Sequence, residues 1–121
     1  MAKLTADMEE MFRNQLPVLA TASLDRIPNV VPKSSMQVLD NETLFYVEGA
    51  GEKTLKNLQQ NPKVAVMVAD RDKMRGYQIK GTAELFTSGD LFQRAVKITE
   101  EAKLPRPKCA VRIRIEAIYT V

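Results

Sequence analysis

Seven consecutive residues, Glu48-Gly49-Ala50-Gly51-Glu52-Lys53-Thr54, have the types and spacing that chemistry needs. Two glycines precede a segment of helical composition, and the first turn of that helix holds a lysine and a threonine. A helix start leaves its first backbone N–H groups without intrahelical partners, and the helix dipole makes that end positive. Lys53 adds a full charge and Thr54 a hydroxyl donor, so the set suits a terminal phosphate. It is not the nucleotide-hydrolysing P-loop, which needs glycine where Glu52 and Val47 stand. Taken alone, the segment reads equally well as a solvated helix start with a surface lysine.

The second informative stretch is Asn29-Val30-Val31-Pro32-Lys33-Ser34-Ser35-Met36. A strand containing Pro32 cannot complete its hydrogen-bond ladder, so it lies at an edge or carries a bulge there. Neighbouring backbone groups are then free to meet something flat with polar edges. The same residues also fit an ordinary edge strand that proline and lysine protect from self-association.

Other chemistries are narrowed by what the chain lacks. With no histidine, Ser–His and Cys–His nucleophile pairs are impossible. One cysteine, Cys109, without histidine cannot fill a Cys/His zinc site, nor form an intramolecular disulfide. A lone cysteine suits a reducing compartment, so the cytoplasm is the expected location. The net charge of +3 permits an anionic ligand without marking a nucleic-acid binder. No apolar run approaches the ~18 residues of a membrane span, and the first ten residues have no apolar signal segment.

The elements that must position these residues follow from periodicity. Thr5 can cap a first helix with Leu4, Met8, Met11, Phe12 and Leu16 on one face, which Pro17 ends. Strands are expected over 18–23, 29–39 and 43–48, joined by tight turns as an antiparallel meander. A short helix then runs over 52–60, with Leu55 and Leu58 on its buried side. The run 64–69 is apolar on both faces, as for a strand covered on both sides. From 75 to 86 the odd positions point inward. Ser88 can cap a helix through Lys103, and the last strand alternates with Cys109, Val111, Ile113, Ile115, Ala117 and Tyr119 on one side. The sum is about six strands and three helices, in one domain spanning 1–121. Short turns between strands favour a mainly β fold, a six-stranded antiparallel barrel with peripheral helices.

Taken together, the stretches resemble the FMN-binding split barrels, the superfamily of pyridoxamine 5'-phosphate oxidase and of small bacterial FMN-binding proteins. The resemblance covers most of the chain. It runs from the leading helix through Ala20-Thr21-Ala22, Pro28-Asn29-Val30-Val31 and Thr43-Leu44-Phe45-Tyr46-Val47. It continues through Lys53-Thr54-Leu55-Lys56-Asn57-Leu58, Asn61-Pro62-Lys63-Val64-Ala65 and Gly76-Tyr77-Gln78-Ile79-Lys80-Gly81.

The resemblance implies an FMN cofactor, with Val31, Pro32, Lys33, Ser34 and Ser35 along the isoalloxazine and ribityl chain. It implies that Lys53 and Thr54 hold the phosphate and that Gln78 approaches the cofactor from a later strand. Glu52 departs from the family, whose members often carry a basic residue there, and its carboxylate must turn to solvent to avoid repelling the phosphate. Homodimerisation with flavin near the subunit boundary is a further expectation. The scattered carboxylates supply no general base, which favours electron or hydride transfer with an unknown redox partner or small-molecule substrate. Lys33 is the candidate cation for the flavin's N1–C2 carbonyl edge. The rival is a non-redox small-barrel module for single-stranded nucleic acid or another anion. Such modules interleave stacking aromatics with basic residues, whereas the four Phe and three Tyr here do not cluster with Lys and Arg. Haem or a deazaflavin is another option for a split barrel; haem would find no histidine and only Cys109 for axial ligation.

Overall fold

A computed structural model describes residues 2–49 and 51–121. Thr5 starts α1 (Ala6–Asn14): its hydroxyl accepts a hydrogen bond from Met8 N at 3.3 Å, and Leu4, Met11 and Phe12 enter the main core. Strands β1 (Val18–Ala22) and β2 (Pro28–Pro32) form a hairpin. The expected single strand over 29–39 is two strands. Pro32 has no N–H to extend the ladder, and Lys33 to Met36 turn back, with Met36 N donating to Lys33 O at 3.1 Å. The chain resumes as β3 (Gln37–Asp40), paired with β4 (Thr43–Glu48). The count is therefore seven strands rather than six, completed by β5 (Lys63–Asp70), β6 (Arg75–Phe86) and β7 (Cys109–Thr120).

All seven belong to one sheet in the order β2-β1-β5-β6-β7-β4-β3, with every neighbouring pair antiparallel. The broken strand thus supplies both edges of the sheet. Only four residues separate β2 from β3, a reach of at most ~18 Å, so the sheet must curl until its edges approach. That makes it an antiparallel barrel split between β2 and β3. Leu19, Leu44, Tyr46, Val66, Val68, Ile79, Val111 and Ile113 fill its interior.

Helices treat the two outer faces differently. α3 (Gly89–Glu101) covers the outside of β4 and β7 through a second cluster built on Phe45, Ala95 and Ala110. α2 (Glu52–Gln60) packs by β1 and β2, with Leu55 and Leu58 reaching the main core. Among the described residues, no helix covers the outer face of β2-β1-β5-β6. Its strand pairings align Pro32, Val18, Met67, Gln78 and Tyr119 in one cross-strand row, and Val30, Met67 and Tyr119 are 64%, 43% and 51% exposed.

The simple alternation expected for β7 fails midway. Gly81 pairs with Ile115 and Lys80 with Ala117, leaving Glu116 as an extra bulged residue. The bulge moves the inward phase by one, so Ile118 packs against the core and Tyr119 faces out. Glycine is required at 81, since a Cβ there would collide with the Arg114 carbonyl oxygen. α3 ends at Glu101, two residues short of Lys103, and Ser88 occupies its N-cap position without a side-chain hydrogen bond.

Candidate functional site

Thr54 is 1% exposed, and its hydroxyl accepts a hydrogen bond from Asn29 Nδ2 on β2 at 3.2 Å. Three residues on, Asn57 donates to the Thr21 hydroxyl of β1 at 3.0 Å. These two bonds exist because Asn29 and Thr21 sit at inward positions of their strands, where α2 covers them. They dock the start of α2 against the hairpin that leads into Pro32, which brings the two informative sequence stretches together.

The first turn of α2 remains open. Its N-cap, Gly51, makes no side-chain capping bond. Glu52 and Lys53 are both exposed, and among the described residues Lys53 has no ion-pair partner. The lysine is therefore available to an incoming anion, and the exposed Glu52 can point to solvent.

Along the other stretch the side chains diverge. Val31 faces inward and packs against the core, whereas Pro32 is exposed on the outer face. Ser34 is exposed. The Ser35 hydroxyl accepts from Val47 N at 3.0 Å and donates to Val47 O at 3.3 Å, tying the turn to β4. Ser34 and Ser35 also line a 320 Å³ cleft whose far wall is Ile98, Leu104, Pro105 and Arg106 from the end of α3 and the following loop.

Lys33 turns back toward the barrel. Its Nζ lies 3.0 Å from Oε2 of Glu48, which is completely buried, while the lysine side chain is 12% exposed. The ammonium also lies over the Tyr46 ring, 5.0 Å from its centroid, and the Tyr46 hydroxyl donates to Glu48 Oε1 at 3.5 Å. Burial, then the Glu48 charge, push the Tyr46 hydroxyl far above its usual pKa. The same two causes push the Cys109 thiol, paired across from Glu48 on β7, up to about 11. Gly51 closes over this pair: a Cβ at that position would lie 2.9 Å from Glu48 Oε2 and 3.4 Å from Lys33 Nζ. The pair therefore sits directly under the start of α2.

Gln78 is separate. On the outer-face row it is three strands from Pro32, roughly 14 Å at ordinary strand spacing. Within one chain it does not share a surface with the start of α2. Sequence reasoning missed Asn29 and Asn57 as anchors and Glu48 as a buried carboxylate. The available signal for Glu48 was a charged residue closing the apolar run Leu44-Phe45-Tyr46-Val47, a position that burial can reach. Arg112 and Arg114 both pair with Glu84, at 2.9 and 3.0 Å.

The sequence profile of the family described as pyridoxamine 5'-phosphate oxidase matches residues 4–121. The chain belongs to that family. An uncharacterised protein of Methanocaldococcus jannaschii is 38% identical, over 98% of this chain and 81% of its own length. The crystal structure of HupZ from Group A Streptococcus superposes with a TM-score of 0.91 at 32% identity, covering 98% of this chain and 94% of that one. The fold alone is shared with an FMN-binding protein of Syntrophomonas wolfei, at 20% identity and TM-score 0.75 over 94% of this chain and 83% of that one. It is shared likewise with HutZ, a haem storage protein of Vibrio cholerae, at 18% and 0.72 over 96% and 93%. The same fold thus occurs in one protein described as FMN-binding and in another described as storing haem, and the choice for this chain rests on its own residues.

Proposed function

We propose that this family member is an FMN-binding flavoprotein that transfers electrons or hydride, working as a homodimer. The observation that carries the reading is the first turn of α2, where Lys53 is unpaired among the described residues, docked by the Asn29–Thr54 bond onto the strand that ends at Pro32. The residues fit the group. A phosphate meets free N–H groups and the Lys53 charge, and Gly51 lets backbone approach the Lys33–Glu48 pair where a Cβ would intrude.

Bound FMN would supply the redox chemistry, and the protein supplies binding, orientation and electrostatics. In this reading Lys53 and the α2 backbone hold the phosphate. Thr54 contributes by anchoring the helix, since its hydroxyl is buried on Asn29. Pro32 and Ser34 present the exposed wall of the β2–β3 turn to the ring, and Ser35 fixes that turn to β4. A haem would find no imidazole in the chain, and Cys109, 2% exposed with a raised thiol pKa, is a poor axial ligand. Flavin therefore suits these residues better.

The bare outer face supports the dimer. Val30, Met67 and Tyr119 are exposed on a sheet face whose counterpart on β4 and β7 is covered by α3, and a second copy can cover it symmetrically. Gln78 lies in the middle of that face, so its contact with flavin would be made across the subunit boundary. The visible spectrum of the purified protein, with and without added FMN, tests the reading. A flavin spectrum that survives gel filtration is expected. A colourless protein that takes up no FMN, with nucleic-acid affinity falling steeply with salt, would establish the rival module instead.

A further inference from the structure

We propose that Glu48 sets the charge of the flavin site, by holding Lys33 in a compensated ion pair so that a bound flavin does not meet a free cation there. The inference rests on the flavin reading above and adds to it a residue that neither sequence stretch put forward as a ligand. Three observations carry it. Glu48 is completely buried, and Lys33 Nζ lies 3.0 Å from its Oε2. The lysine side chain is 12% exposed, so Lys33 is not sealed off from the surface as Glu48 is. Gly51 packs so closely over both groups that the pair lies beneath the start of α2, between the turn at Lys33–Met36 and the Lys53 end of the site.

Burying a lone carboxylate is costly, so Glu48 needs the cation. In return the carboxylate cancels most of the field that Lys33 would otherwise exert. A full positive charge beside flavin favours the reduced, anionic form and raises the reduction potential; a paired one does so much less. Lys33 is then a positioned, neutralised group, Lys53 is the cation left for the phosphate, and Glu48 is a positioning residue that touches no ligand.

The experiment measures FMN affinity by fluorescence titration and the midpoint potential of bound FMN in the wild-type protein, E48Q and K33Q/E48Q. Circular dichroism and thermal melts verify folding. E48Q keeps the side-chain shape and removes the charge that masks Lys33. Its bound flavin is expected to shift toward the reduced form by about tenfold, the scale of one unit charge met at ~10 Å through protein, or ~30 mV for a two-electron couple. K33Q/E48Q is expected to reverse that rise. A purely structural role for Glu48 predicts weaker FMN binding in E48Q with an unmoved potential, and that result overturns the proposal. If E48Q does not fold, K33Q/E48Q decides: a potential no lower than that of the wild type supports masking, and a lower one means Lys33 already acts as a free cation. Wild-type protein that binds no FMN overturns the flavin reading itself, and this inference with it.

Discussion

Lys53 and Thr54 are neighbours in the chain, yet helix geometry points one to solvent and the other into the protein. Among the described residues the exposed lysine has no ion-pair partner, so in the proposed flavin reading Lys53→Ala is expected to weaken FMN by about 1.5–3 kcal/mol, the scale of a charge-assisted hydrogen bond, with little change in the melting temperature. Fluorescence titration checks the first part and a thermal melt the second. Thr54→Val should act the other way round. It leaves Asn29 Nδ2 without its partner and costs about 1 kcal/mol of stability, measured by urea unfolding. At Cys109 the outcome depends on pH. The unfolded thiol ionises near 9.0, whereas burial and then the Glu48 charge hold the folded one protonated to about 11. The folded state binds the extra proton between those values, so stability is full below pH 9 and falls as pH rises toward 11. Cys109→Ala should remove part of that slope in melts across the window, and the native thiol should resist labelling at pH 8.

At the scale of elements, two local rules of strand chemistry decide where the site residues go. Pro32 ends β2, and the turn after it sends β3 to the opposite edge of the sheet. Proline in the strand was legible in the sequence as an interruption. That the two halves would then pair with different partners depends on β1 and β4, which no local pattern specifies. The bulge at Glu116 is the second case. Alternation in 109–120 reads cleanly in the sequence, but pairing with β6 inserts one extra residue and reverses the phase for Ile118 and Tyr119. Gly81 is the close approach that makes the bulge possible. Gly81→Ala should cost about 1–3 kcal/mol through overpacking against Arg114, measured by urea unfolding.

For the whole molecule, the asymmetry between the two outer faces is the main feature. α3 covers one, and the other exposes Val30, Met67 and Tyr119 around Gln78. If a second copy covers that face, Met67→Glu places a charge at its centre. The expected result is a monomer by sedimentation equilibrium, with weakened FMN binding, because Gln78 of the second copy is then lost to the site. A dimer unaffected by Met67→Glu would move the interface elsewhere.

The capped first helix, the apolar strands other than the one broken at Pro32, and the two ligand-type stretches were determined by the amino-acid sequence, because caps, turns and periodicity act over a few residues. The N-terminus of α2 was recognisable as a candidate anion site for the same reason. Only the tertiary structure decided that Lys33 meets a buried Glu48 rather than standing free, that Thr54 turns inward to Asn29, and that Gln78 lies three strands from Pro32. Those outcomes depend on pairings between segments 15 to 46 residues apart. They follow from how a sheet with a short turn between its two edges must close, and no window of neighbouring residues contains that constraint.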